Sequence, residues 1–405
     1  MRVSTLFNRL LSGKGFWVRS IRLEGGEIRV RVVSRRRVPR CGGCGRVARR
    51  VHDRKRRAWR HLAILAARIF LEANLRRVRC RRCGVRSEQV AWARTGSLFT
   101  RDFEDQVAGL TRVTDKTTVK RLFQISWVTV GRIAARVVRE KLDPGRLDGL
   151  AFIGIDEFSY QRRHKYVTIV MNHETGEPVW VGEGKSAETL ERFFDELGPQ
   201  RCLSVQLVTI DMSNAFIEAV KRRCPNAEII FDRFHVERLL HDALDQVRRQ
   251  EVAQLPDAHR RDLKNTRFVL LKAPWNLRPP ERQRLSELEK VNRKLFRAYL
   301  LKEDFLAAYD YTHPAWARSR FLRWIPWAKR SRLQPFRRVA ATIQKHLDGI
   351  LNFFRYRLTN GPLEGMNNKI RLLSHRAYGF KSAQTLAAMI FLCCSAFPLP
   401  LPQIA

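Results

Sequence analysis

The sequence predicts a multidomain α/β protein: a zinc-ribbon-like module and a helix-turn-helix, followed by a sheet-and-helix core that a helical segment interrupts. Three observations carry that expectation. Two CxxC pairs lie in a strongly basic first quarter, which reads as a metal-held module. Between residues 151 and 252 short apolar runs alternate with amphipathic helical stretches, the pattern of an α/β core. A long basic stretch, 253–350, is then punctuated by prolines at the ends of helical segments.

Composition bounds the function. The 405 residues are 44% hydrophobic, enough for two or three domains with their own cores. A net charge of +39 calls for a polyanionic partner, most simply nucleic acid, with an anionic membrane surface as the other class. The first hundred residues hold 27 Lys and Arg against 5 Asp and Glu, so the docking surface is expected there. The apolar stretch 386–400 is too short and too rich in proline to span a bilayer and reads as a last core helix and tail. No secretory pattern opens the chain, so disulfides are not expected and paired cysteines read as metal ligands.

Residues 1–95 form the expected basic zinc module. Alternation over 16–33 around Glu24-Gly-Gly26 predicts a hairpin. Cys41-Gly-Gly-Cys44 and Cys80-Arg-Arg-Cys83 follow, 35 residues apart, each ending on a glycine. Four thiolates fit a closed tetrahedral, structural Zn2+ site; plain structural or redox cysteines are the other reading.

Residues 96–145 have the cadence of a helix-turn-helix. The first helix is expected to end at Phe123, with the turn at 124–126 and Ser126 capping a second helix that turns Val130, Ile133 and Ala134 inward. Trp127, Thr129 and Arg132 then face DNA. Two amphipathic helices in series also occur in helical proteins that bind nothing of the kind.

Residues 150–252 open on Ala151-Phe-Ile-Gly-Ile-Asp156-Glu-Phe158, a buried strand expected to end on its acids. Strand alternation turns Glu157 away from Asp156. Strands at 166–171 and 178–181 complete a meander, and Ser186 caps a helix bearing Leu190, Phe193, Phe194 and Leu197. Strands at 205–210 and 228–231 then end on Asp211 and Asp232. In 253–350, Arg320, Arg323 and Trp324 belong to an interleaving of aromatic and basic residues that suits contact with bases and phosphates, or equally a Trp-lined core face with solvated arginines. Residues 351–405 return to the core through Asn360-Gly-Pro-Leu-Glu364, where Pro362 suits a first helical turn.

Each acid alone has an ordinary reading as a turn, cap or dipole partner. Asp156, Asp211 and Glu364 together are hard oxygen donors that a sheet and a later helix can converge on Mg2+ or Mn2+. Two such ions would serve phosphodiester chemistry.

The order of these motifs carries a resemblance. Ile153-Gly-Ile-Asp156-Glu-Phe, Asp211-Met-Ser, Phe231-Asp-Arg-Phe-His235-Val, Leu358-Thr-Asn-Gly-Pro-Leu-Glu364-Gly-Met-Asn-Asn-Lys-Ile and Arg376-Ala-Tyr-Gly-Phe380 follow a zinc module and a helix-turn-helix. The chain so resembles, over nearly its whole length, the bacterial insertion-sequence transposases of the ISL group. The resemblance implies a ribonuclease H-like core with Asp156, Asp211 and Glu364 as a DDE triad, and a helical insertion within the 153-residue separation of the last two. Asp232 and His235 match a recurring family motif and are expected as auxiliary residues, and Lys369 and Arg371 as DNA contacts. It implies cleavage and joining of double-stranded DNA at terminal inverted repeats by a homodimer or larger assembly, in the bacterial cytoplasm on the nucleoid. A non-catalytic DNA-binding protein descended from such an enzyme is the alternative, which the intact acidic triad disfavours.

Overall fold

The computed structural model describes residues 3–11, 15–64, 66–161, 165–254 and 266–399. The chain divides into two compact units, Met1–Leu142 with Ala388–Ala405, and Asp143–Ala387.

The first unit is built on a five-stranded sheet. Strands β1 (Phe16–Glu24) and β2 (Glu27–Ser34) form the expected hairpin, turned by Gly25 and Gly26 at positive φ. The spacer between the CxxC pairs holds a second, longer hairpin, β3 (Val51–Ile64) and β4 (Ala67–Cys80), and β5 (Gly84–Ser87) pairs with β4. The order is β1-β2-β4-β3, with β2 and β4 parallel. Ile69, Leu71, Ala73 and Leu75 of β4 alternate inward against Phe16, Val30, Trp59 and Trp92. Sequence reading passed over β3 because Arg and Lys fill its middle from Arg54 to Arg57, and only Trp59 and His61 of its side chains are buried.

Three helices follow, Arg101–Val113, Lys116–Phe123 and Trp127–Lys141. Thr100, Asp115 and Ser126 cap them by accepting from backbone N–H groups two or three residues on. Gln124 takes the left-handed conformation (φ 51°) that turns the second helix into the third. Val130, Ile133 and Ala134 are buried as expected. Glu104, fully buried, accepts from Ser97, Arg94 and Arg136, so the loop before the helices is tied to two of them by a paired, hydrogen-bonded charge. Arg112 donates to the Ser395 carbonyl after the helix Ala383–Cys394.

The second unit contains a mixed sheet in the order β10-β9-β6-β7-β8. β6 (Phe152–Gln161), β7 (Lys165–Asn172) and β8 (Pro178–Glu183) are the antiparallel meander. β9 (Leu207–Ile210) returns parallel to β6 after the helices Ala187–Leu197 and Pro199–Ser204, and β10 (Glu228–Phe231) lies parallel to β9 after the helix Asn214–Arg223. Such parallel returns need a crossover helix. The helix Leu347–Tyr356 packs on β10, where a Cβ on Gly349 would come within 2.4 Å of the Phe231 ring. The sheet and its helices match the ribonuclease H-like core that the family resemblance implies.

The helices Arg293–Leu306, Pro314–Arg330 and Gln334–Lys345 lie between β10 and the last motif, followed by Leu347–Tyr356. Their contacts are aromatic: the Phe305 ring lies 4.7 Å from Phe321 and 4.8 Å from Trp324. Among the described residues, no helix is long and apolar enough to cross a membrane.

Candidate active site and zinc centre

The four expected zinc ligands are assembled. Cys41 and Cys44 lie on the turn before β3, Cys80 and Cys83 on the turn between β4 and β5, so the long hairpin simply spans the 35-residue gap. Their sulfurs all lie within 4.8 Å of one another. Gly45 (φ 71°) and Gly84 (φ 70°) close the two knuckles in a conformation that favours glycine. Backbone N–H groups of Arg82 and Cys83 push the Cys80 thiol down to about 7, while Cys44 beside it pushes Cys83 up to about 12. Sulfurs this crowded compete for protons, and Zn2+ ends that competition by taking all four as thiolates. The residues fit the metal, and four protein ligands leave no position for a substrate.

The carboxylates are arranged differently. β6 runs four residues past the expected end at Glu157, to Gln161. What ends near Asp156 is the parallel ladder, whose pairs Phe152–Leu207, Ile153–Val208 and Gly154–Thr209 stop as β9 stops at Ile210. In the same register Phe231 pairs with Ile210. Continuing both ladders puts Asp156, Asp211 and Asp232 on one rung of three neighbouring strands, whose backbones are about 4.8 Å apart. Burial, with Asp211 adding to it, raises the Asp156 carboxyl above the usual range, and burial raises Asp232 to about 6. His235 stands 3.8 Å from Asp232. Asp211 Oδ1 accepts from the Ser213 backbone.

Glu364 is exposed in the first turn of the helix Gly361–Arg376. Asn367, one turn on, donates to Asp156 Oδ2 at 2.6 Å and holds that face of the helix against β6. A buried relay fixes the start of the same helix. His173 Nε2 lies 2.6 Å from Thr209 Oγ1, and the Thr209 hydroxyl donates to Asn360 Oδ1, directly before the helix. Burial holds His173 down to about 4 and hence neutral. Gly154 leaves room for this relay, since a Cβ there would lie 2.8 Å from the His173 ring.

Asp156, Glu157 and Glu364 line one cavity of about 950 Å3, together with His235 and Arg371. Glu157 borders this cavity too, although the β6–β7 ladder runs without a shift through Asp156 and Glu157 and so keeps their alternation. Past Ile210 no β9 residue flanks β6, so the cavity reaches both faces of its free edge. Glu157 is raised to about 7 by burial first and by Asp211 second.

The expected DNA contacts fall into two groups. Trp127 and Arg132 are exposed, with Lys116 Nζ 4.3 Å above the Trp127 ring, and Thr129 bonds to Ser126. Arg323, Lys369 and Arg371 are exposed. Trp324 is not a surface residue: it is 1% accessible and donates from Nε1 to the Leu301 carbonyl at 2.7 Å. Arg320 is held by Asp304 and Tyr311. Of the two readings of that stretch, the core face describes these two residues, because the insertion needs its own apolar centre.

Sequence reasoning missed Asn367, Thr209, His173 and Tyr378. Helical spacing from Glu364 could have found Asn367; nothing in the sequence joins His173 to Asn360. Tyr378 sits at the end of the Glu364 helix, where its N–H donates to His375 and that of Gly379 to Ser374. This is a Schellman turn with tyrosine (φ 51°) at the left-handed position that glycine usually takes, at a cost of about 1–2 kcal/mol.

The chain is similar to known proteins over most of its length. The family model for the ISL3 DDE-type transposase matches residues 153–390, and that for the zinc finger of the IS204/IS1001/IS1096/IS1165 transposases matches 37–83. Transposases for insertion sequence element IS1557 from two strains of Mycobacterium tuberculosis, CDC 1551 and H37Rv, are each 36% identical over 398 residues, covering 91% of this chain and 89% of theirs. The transposase for IS1001 of Bordetella parapertussis is 30% identical over 348 residues, covering 85% and 86%. The chain, with its zinc ribbon and its divalent-metal-dependent DDE domain, belongs to the ISL3 family of insertion-sequence transposases.

Proposed function

We propose that Asp156, Asp211 and Glu364 are the metal-holding acids with which this transposase cuts the ends of its element and joins them to target DNA. The observation that carries this is that Asp156 and Glu364 line one cavity, with Asn367 of the Glu364 helix bonded to Asp156; the β6–β9 ladder, continued two residues, sets Asp211 opposite Asp156. Burial first, with Asp211 adding to it, raises the Asp156 carboxyl, and hard divalent cations suit such oxygen donors. Two Mg2+ (or Mn2+) ions, when bound, activate the attacking oxygen and stabilise the leaving one. The chain's own part is to hold those carboxylates, to orient Glu364 through the Thr209–Asn360 bond, and to present Arg371 to a phosphate. Asp232 and His235 border the same rung and act as auxiliaries.

The terminal inverted repeats are read by the basic first unit, through the zinc module and the exposed Trp127 and Arg132. Two ends must meet, so the working form on the nucleoid is at least a homodimer. The test is cleavage of labelled repeat-end duplex by the full chain in Mg2+. Asp156→Asn, Asp211→Asn and Glu364→Gln should each eliminate nicking and joining while repeat binding survives. Wild-type protein that binds the repeats yet never nicks them in any divalent metal would favour the DNA-binding alternative. An inactive Glu157→Gln beside an active Asp156→Asn would move the metal-holding role to Glu157.

A further inference from the structure

Among the described residues Tyr378 is the most exposed large apolar side chain, at 99%. It lines the cavity that contains Asp156 and Glu364. Its position is fixed on both sides. The helix end holds its backbone through the bonds to His375 and Ser374, and the next residue but one, Phe380, is buried, its carbonyl accepting from Gln161 Nε2 at the end of β6. A ring that packs on nothing, displayed by a turn that glycine would form more readily, is not there for the stability of the fold.

A second helix that lines the cavity carries a similar pair. Phe234, 56% exposed, and the exposed Arg238 lie one turn apart on the helix Arg233–Gln254 and line the same cavity. On the Glu364 helix the exposed Arg371 lies two turns before Tyr378. Each of the two helices thus brings one exposed aromatic and one guanidinium to the cavity that Asp156 and Glu364 also line. In duplex DNA the base faces are covered by their neighbours, so such rings have nothing to stack on. An opened strand offers both base faces and phosphates.

We propose that this cavity takes an unpaired stretch of DNA strand beside the scissile phosphate, with bases stacked on Tyr378 and Phe234 and phosphates held by Arg371 and Arg238. The proposal rests on reading the cavity as the cleavage site. The element end is opened there, and the stacked bases offset the lost pairing. Unpaired bases bound in this way need no sequence preference, since every base has a π-face; sequence is left to the first unit.

The test is metal-free binding of the full chain to two repeat-end duplexes, one fully paired and one with mismatched nucleotides at the cut. Wild-type protein should prefer the mismatched end by roughly 10- to 100-fold, the range that stacking on an aromatic ring supplies. Tyr378→Gly, which suits the left-handed backbone and so keeps the fold, should lose most of that preference, and Tyr378→Phe should retain it. In Mg2+, Tyr378→Gly should slow cutting of the paired end more than of the mismatched end. Equal wild-type affinity for both ends, or an undiminished preference in Tyr378→Gly, would overturn the proposal. A Tyr378→Gly protein that changes only its oligomeric state, with the preference intact, would also overturn it and assign the ring to a contact between copies. An Asp156→Asn protein that still cuts would defeat the underlying reading alone, because the metal-free preference does not depend on it.

Discussion

The four cysteine sulfurs lie within 4.8 Å of one another, whereas no three of the acids reach that spacing among the described residues. Both groups hang from sheets and tight turns, so the difference lies in what each must leave out. Thiols can share protons until a metal arrives, and a closed tetrahedron completes the zinc module on its own. Carboxylates on one rung repel one another, which keeps them apart until cations and a substrate phosphate fill the space between. A structural metal site is finished by the chain; a catalytic one stays open.

The largest effect expected from this contrast is at the cysteines. Around the knuckles the core consists of Cys41, Ala48 and Val78 with the other three cysteines packed on it. Cys80→Ser should therefore remove the ion and, with it, a contribution on the order of 10 kcal/mol. Limited proteolysis and metal analysis should show zinc lost and cleavage at both knuckles, while the buried Trp59–Trp92 core of the same unit stays protected. A variant that stays protease-resistant without zinc would put these cysteines with ordinary core residues.

Next in size is a contrast between two aromatics. Trp324→Ala empties a site among Phe305, Phe321 and Leu301 and should cost about 3–5 kcal/mol, seen as a lower melting temperature. Tyr378→Gly should cost nothing. Equal melting temperatures for the two variants would undo the assignment of one ring to the core and the other to the substrate.

Much of this was legible in the sequence for physical reasons that differ by region. Apolar runs and caps located β6 to β10 and the two helices on either side of the turn at 124–126, because burial periodicity and Ser126 at a helix start act locally. The β3–β4 hairpin was illegible: its outward face is arginine and lysine, and its pairing is decided by distant β2. Asp156, Asp211 and Asp232 were each legible as acids at strand ends, but their common rung depends on a ladder register that no local pattern gives, and Glu364 comes to them on a separate helix. Glu157 and Trp324 show the converse limit. Alternation fixes the side of the sheet, not where a neighbouring strand ends, and an aromatic at helical spacing looks the same whether it faces a core or a base.

The smallest expected effect bears most directly on the open carboxylate site. A carboxyl raised from 4.5 to about 7, as Glu157 is, binds more protons folded than unfolded, so its contribution to stability falls as pH rises from about 4.5 to 7. Asp156 shifts in the same direction. A divalent cation should restore what is lost, and only when the acids are ionised. The measurement is the melting temperature of the full chain with and without millimolar Ca2+, which binds such acids without supporting efficient chemistry, at pH 5 and pH 8. Saturating Ca2+ should stabilise wild-type protein at pH 8 by about 1–3 kcal/mol, a rise of a few degrees, and have little effect at pH 5. Asp156→Asn should show no Ca2+-dependent rise and should melt higher than metal-free wild type at pH 8. An equal Ca2+ response in wild type and Asp156→Asn, or one as large at pH 5 as at pH 8, would contradict a site built from these acids.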